Sequence, residues 1–547
     1  MRRRRRTTDL LPVGSLAVAA VLAAVVLPSA LRPPPEQQST SAAFSPDAPP
    51  EDAPDAIIQS LRQAASRTAG ATGSDDVAPT TTIPIVEKPS RGQCFGDPPR
   101  QVESLYAAPC RAAFTGDNGG STHKNVSGEE IRIGMWHGLV SIDEGPISDT
   151  PPPGESSAHR TLRVLQSYFN QHYELYGRRL QIVYLNPDAE DEPGHRATAI
   201  RADEEWGVFA SIYLATPYCD EMARRTLITF CDNLATSFYG PRDPYVWSLM
   251  PDLGRTDRLG AEYVCKKLVG RPAAFAGDAA YQQIERRIGV MVEADPVVSG
   301  DHTSRDIVRE LTGQCGFDPV ITTIDFDVSS EAGTAALATA IAKLRQENVT
   351  TVYLSARGGA WVIALGLADS AGYFPEWFQP GQYAIDWNSF AQLFPPTQSA
   401  HLFGLGVHEI ARRLDDTDCY RAYRSVDPTA APDRQTCLLF FHDLMALANG
   451  LQEAGPDLNP TTFRDGLRSM GARLYPNEPW AMGGGFAAND WTYIDTAAEI
   501  WWDPNAVDPE QGRPGAWRWT ANGRRYLPGE IPAGEPLVFK EGITAPP

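Results

Sequence analysis

From residue 131 onward the chain alternates short apolar, β-branched runs with longer segments whose apolar residues recur every three or four positions. Ile131, Ile133 and Met135 alternate with Arg132, Gly134 and Trp136, which predicts a strand. A helix is expected over 159–176, with Leu162, Leu165, Tyr168 and Phe169 on one side, and then a strand over 180–185. A helix over 195–205 and strands over 208–212 and 226–230 continue the rhythm, and a helix over 255–268 leads to a second series. That series opens with a strand over 288–292, a helix over 303–315 and the β-rich run of Ile321, Ile324 and Phe326. Ser329 and Ser330 are placed to cap a helix carrying Leu337, Ile341 and Leu344 at i, i+4 and i+7. The largely apolar run 349–354 has the composition of a strand buried on both faces. A helix with Val362, Ile363, Ala364, Leu367 and Ala368 inward follows, and Gly372 supplies its C-terminal cap. Strands are further expected at 383–385 and 402–407, the latter crossing back to the first series, with a long amphipathic helix over 437–455. Strand, crossover helix and strand form a βαβ unit, so the expected class is α/β with parallel sheets.

Particular stretches also resemble a known family. Ala340-Ile341-Ala342-Lys343-Leu344, Val352-Tyr353-Leu354 and Ala371-Gly372-Tyr373-Phe374-Pro375-Glu376-Trp377 resemble the second lobe of type I periplasmic solute-binding proteins. Within that family the wording is most similar to the branched-chain amino-acid (Leu/Ile/Val) receptors of ABC importers. Gly177-Arg178-Arg179-Leu180 fits a family turn, and residues 454–460 with Phe463 and Leu467 resemble its penultimate helix pair. Where the family carries Phe-Arg, this chain has Trp247-Ser248. The resemblance implies two Rossmann-like lobes with parallel sheets joined by crossover hinge segments. The expected division is 129–270 for the first part of lobe 1, 271–400 for lobe 2, and 401–505 for the return of lobe 1 with the hinge. An irregular tail over 506–547 completes it.

The N-terminal quarter changes where this fold is expected to work. Five arginines at positions 2–6 precede an apolar segment over 10–31, the arrangement of a signal peptide or an uncleaved membrane anchor. Pro28 stands where a cleavage site near Ala30 would want a small residue, and no Cys follows the apolar core to take a lipid. Both alternatives put the remainder outside the cytoplasm. Residues 32–90, rich in Pro, Ser, Ala and Thr, read as a disordered spacer, and 91–128 as a Cys-bearing lead-in.

A net charge of −20 argues against nucleic acid, since phosphate recognition needs a basic stripe. The eight cysteines show no metal-ligand spacing, so disulfides are expected in an exported chain. Neighbour pairing would join Cys94–Cys110, Cys219–Cys231, Cys265–Cys315 and Cys419–Cys437, although eight cysteines allow about 105 connectivities.

No nucleophile elbow, P-loop or HExxH motif occurs, so neither an enzyme nor a cofactor is expected. Binding needs less. Two α/β lobes make a cleft at the C-terminal ends of their strands. The turns expected there carry Trp136, His137, Thr216, Tyr218, Thr236 and Ser237 from the first lobe, and Asp301, Arg357, Asp386 and Trp387 from the second. The resemblance implies that Thr216 and Thr236 hold a ligand carboxylate and that Asp386 meets an ammonium, whereas Arg357 would suit an anionic ligand. The expected role is a binding protein that delivers a small polar solute, an amino acid or amide, to an ABC permease. The alternative is an envelope sensor or scaffold that keeps the fold without transport.

Overall fold

The computed structural model describes residues 94–295, 297, 299–317, 323–328 and 330–547, so the expected anchor and spacer, Ile321 and Ser329 lie outside the described residues. Two sheets organise them. In the first, β3 (Arg179–Tyr184), β1 (Glu130–Trp136), β4 (Val208–Tyr213), β5 (Ile228–Phe230) and β6 (Val246–Trp247) run parallel in that order. The two-residue β2 (Gly145–Pro146) lies antiparallel on the β3 edge. In the second, β8 (Thr323–Phe326), β7 (Ile288–Glu293), β9 (Thr351–Ser355), β10 (Glu376–Gln379) and β11 (Leu402–Gly406) are parallel in that order. Numbered within each lobe, both parallel runs follow the doubly wound order 2-1-3-4-5. They are two copies of one topology.

Local chemistry accounts for the elements. Helix α1 (Ser157–His172) is capped by Ser156 and buries Leu162, Leu165 and Phe169. It leads to a turn at Gly177 (φ +86°), beyond which Arg178 is buried with its guanidinium donating to the carbonyls of Asn118, Ser127 and Pro456. Helices α2 (Glu192–Glu204), α3 (Thr216–Arg224) and the short α4 (Thr236–Tyr239) complete the first series, and α5 (Leu253–Tyr263) begins the crossing to the second lobe. There α6 (Ser304–Cys315) starts at a capping box of Thr303 and Asp306. Ser330 caps α7 (Glu331–Gln346), accepting from Gly333 N, and Leu337, Ile341 and Leu344 pack with Met291 and Val352. Helix α8 (Gly358–Ser370) ends at Gly372, whose φ of +62° a Cβ would strain. Glu376 opens β10 fully buried, taking two bonds from Arg286 (2.7 and 2.8 Å) and one from Thr351 (2.7 Å).

After the short α9 (Asn388–Ala391) and α10 (Pro396–Ser399) come α11 (Asp418–Val426), α12 (Arg434–Glu453) and α13 (Pro460–Ser469). Helix α12 packs against α1, α13 and β4, so it belongs to the first lobe. The chain then crosses once more, with Tyr493 N and Ile494 N donating to Ser248 O and Leu249 O at 3.0 Å, beside the first crossing.

Four expectations are corrected. The strand over 402–407 does not cross back: β11 pairs with β10 and, on its other side, with β12 (Ala497–Val507), so the second lobe does not end at 400. Nor does all of 401–505 return to the first lobe. The tail is irregular only beyond residue 526, because β13 (Pro514–Trp519) and β14 (Arg525–Tyr526) both pair with β12, and Trp517 and Trp519 are fully buried. An apolar strand shows its burial in its composition but not which edge it joins. Residues 383–385 are not a strand. Tyr383 and Ala384 take left-handed φ values of +52° and +58°, after Gly381 (φ +87°), where a Cβ would meet Val407 Cγ1 at 2.8 Å.

Neighbouring cysteines are joined as Cys94–Cys110, Cys219–Cys231, Cys265–Cys315 and Cys419–Cys437. Among the described residues no helix is long and apolar enough to cross a membrane.

Candidate functional site

The C-terminal ends of both parallel sheets meet at one cavity of about 980 Å³ between the lobes. Trp136 reaches it from the end of β1 and His137 just after it, Asp232 and Asn233 after β5, and Met250 after β6. From the other lobe come Glu293 and Asp295 after β7, Arg357 after β9, Tyr383, Asp386 and Trp387 after β10, and His408 and Glu409 after β11. Phe440 to Asp443 of α12 complete the first-lobe wall. Open parallel sheets place ligands at this address, because strand order reverses there and leaves a crevice. At one rim the lobes touch: Thr216 N donates to Val297 O (2.9 Å), Ser237 Oγ to Asp301 (3.0 Å), and Tyr383 N to Asn233 Oδ1 (3.0 Å).

The second-lobe wall is internally neutralised. The Arg357 guanidinium bonds Glu293 and lies 2.8 Å from Asp295, while its backbone N–H donates to Glu293 at 2.8 Å. Asp386 accepts from Val407 N (2.7 Å) and His408 N (2.9 Å), and its other oxygen meets His408 Nδ1 at 2.7 Å. Burial alone would raise its pKa, but the His408 imidazole and the two N–H groups outweigh that and hold the carboxyl below its usual value. The left-handed pair at Tyr383 and Ala384 aims this segment inward, and Trp517 Nε1 steadies it by donating to Ile385 O (3.1 Å). Such backbone costs about 1–3 kcal/mol per residue and persists only where its surroundings enforce it.

The first-lobe wall differs. Trp136 stacks on Tyr213 at 4.7 Å, and Tyr213 on Tyr218 at 3.7 Å, so the cleft-facing indole is backed by two buried phenol rings. Burial drives His137 down to about 4, leaving a neutral imidazole. Asp232 accepts from Ser248 Oγ (2.5 Å) and Leu249 N (3.1 Å), yet burial still raises its pKa. Asp443 is buried in the middle of α12, and its Oδ1 has no hydrogen-bond partner. Burial, then the neighbouring Asp232 charge, pushes its pKa well up. Among the described residues no group of three or more His, Cys, Asp or Glu is placed to hold a metal ion.

Of the residues expected from the sequence, Trp136, His137, Arg357, Asp386 and Trp387 line the cavity. Thr216 and Tyr218 are buried behind its wall, the Thr236 hydroxyl bonds Asp252, and Ser237 and Asp301 bind each other at the exposed rim. Thr216 and Thr236 therefore stand outside the lining of this cavity. Arg357 and Asp386 line the cleft with their charges already paired. Sequence reasoning missed Asp232 and Asp443. Both had signals: Asp232 stands two residues past the end of a strand, and Asp443 interrupts the apolar run of an otherwise buried helix.

No family model and no curated protein sequence matches the chain. Solved structures do. A fatty acid ABC transporter substrate-binding protein from Thermomonospora curvata aligns with TM-score 0.51 and 14% identity over 77% of this chain and 99% of its own. An ABC transporter substrate-binding protein from Aeropyrum pernix gives 0.50 and 11%, over 73% and 96%. A periplasmic binding protein from Burkholderia mallei also gives 0.50 and 11%, over 73% and 95%. With two lobes of one doubly wound topology, a cleft at their strand ends and these relatives in shape, the chain has the type I periplasmic-binding-protein fold.

Proposed function

We propose that this chain is an extracytoplasmic solute-binding protein of an ABC-type importer, which closes two lobes on a small polar solute such as an amino acid or amide. The observation that carries this reading is the cleft between the lobes, built from the strand ends of both and closed along one rim by contacts between them. A solute bound there touches both lobes only when they are closed, so its binding energy favours the closed state. The basic N-terminal block and apolar segment support export, with the module held at the membrane or released, and a membrane permease is the partner this role requires. The test is calorimetry and thermal-shift screening of the purified chain against a broad solute library. A ligand at 100 times its Kd adds about 2.7 kcal/mol of stability, so a binder appears as a clear rise in Tm. A folded protein with no binder in such a library ends the proposal.

A further inference from the structure

We infer that the cleft takes an organic cation, an amine or quaternary ammonium group on an apolar or aromatic body, and that Asp443 with Asp232 receives the cationic end. This rests on the solute-binding reading above.

The first observation is Asp443 itself. A buried carboxylate in a folded protein is ordinarily paired, because desolvating an unpaired charge is costly. Asp443 is only 9% exposed, lines the cleft, and leaves Oδ1 without a donor. The charged group acting on it is Asp232, of the same sign. Among the described residues neither carboxylate makes an ion pair. His408, the imidazole that faces Asp232, is already bonded through Nδ1 to Asp386.

The second observation is the remaining charge. Eleven carboxylates and three guanidinium groups line the cleft. Each guanidinium has an acidic partner: Arg357 has Glu293 and Asp295, Arg434 has Glu510, and Arg412 has Glu409 at 3.5 Å. An anionic solute would have to compete with these carboxylates, the loosest hold being on Arg412, whose buried Nε has no hydrogen-bond partner, whereas a cationic solute completes a site that the protein leaves uncompensated.

The third is shape and surface. Half-buried indoles face the cleft from opposite lobes, Trp136 from the first and Trp387 from the second, and aromatic faces attract ammonium groups. The cavity stands at the top of the range of about 300–1,000 Å³ typical for drug-sized ligands, so the body of the solute is larger than a bare ammonium ion. The chemistry is an organic cation.

The test uses the full chain and charge-matched probes in calorimetry and thermal shift. Phenethylamine, tyramine, agmatine, spermidine and choline form the cationic set. Phenylacetate, 4-hydroxybenzoate and glutamate are the anions, phenylethanol is neutral, and calcium and zinc chloride are the metal probes. Binding is expected within the cationic set. Asp443→Asn should weaken the bound cation about tenfold or more, since a hydrogen bond to a charged group is lost, and Asp232→Asn should act in the same direction. Asp443→Asn should also raise the Tm of the unliganded protein, which a purely structural aspartate would not do. An anion, neutral probe or metal bound as tightly as any cation, or a cation bound undiminished by Asp443→Asn, overturns this inference and leaves the solute-binding reading standing. No binding by any probe or by the broader library overturns both.

Discussion

The two walls of the cleft are built at the same address on the same topology, yet they handle charge in opposite ways. On the second lobe, Arg357 lies between Glu293 and Asp295, and His408 with two backbone N–H groups holds Asp386. On the first, Asp232 and Asp443 face the cavity with no ion-pair partner among the described residues, one of them inside an apolar helix. The first arrangement is complete without a ligand. The second is incomplete, so a bound cationic group contributes where the protein has left a gap. One topology thus supplies both a preformed frame and a recognition point.

The largest effect is expected from Arg357→Ala, which strips the guanidinium from Glu293 and Asp295, whose side chains are 1% and 7% exposed. Unpairing buried carboxylates costs about 4 kcal/mol, read as a lower denaturant midpoint; an unchanged midpoint would show that this wall is not held by its own charges. On the other wall, Cys231 immediately precedes Asp232 and is tied to Cys219, 12 residues earlier. The double substitution Cys219→Ala/Cys231→Ala should cost about 3 kcal/mol, and solute affinity should fall with it if that tether positions Asp232.

Smaller effects distinguish the walls by pH. Asp386 has a folded pKa below its unfolded value, so its contribution is full above about pH 4 and is lost as pH falls through the folded value. Asp386→Asn should cost about 2 kcal/mol at neutral pH and should flatten the acid limb of the stability profile. Asp443 and Asp232 have raised folded pKa values. Their contribution is present below about pH 4 and is lost as pH rises through those values. The groups around them are each other, His408 from the end of β11, the buried Tyr239 phenol against Asp232, and His442 beside Asp443 with Glu409 facing it. Denaturation of the unliganded wild type against Asp443→Asn should therefore diverge from pH 5 to 8, the variant gaining about 1 kcal/mol. Parallel curves would place Asp443 with the satisfied charges of the second lobe.

The βαβ rhythm was legible because a strand buried on both faces, such as Val352-Tyr353-Leu354, and a helix with a 3.6-residue stripe, such as Leu337 to Leu344, write their surroundings into local composition. The cleft was legible in part for the same reason: strand ends are visible, Trp136 closes β1 and Arg357 stands two residues past β9, whereas Asp386 was reached through an expected strand that is not there. Thr216 and Thr236 looked equally eligible, but as first residues of helices their backbone and hydroxyl groups bind Val297 and Asp252 instead. Asp443 was hidden because α12 lies more than 200 residues beyond β5 in the chain, and only folding brings it to Asp232.

By itself the sequence determined most of the elements up to residue 380 and their α/β rhythm, since local propensity and periodicity act over a few residues, while the doubled lobe was implied by the family resemblance. Only the tertiary structure decided which edge Leu402 to Gly406 joins, which charges neutralise one another, and which carboxylates remain without partners. Pairing is a property of distance in space. The difference between Asp386, satisfied by a histidine 22 residues away, and Asp443, left unpaired by its neighbours, is therefore absent from any local stretch of the chain.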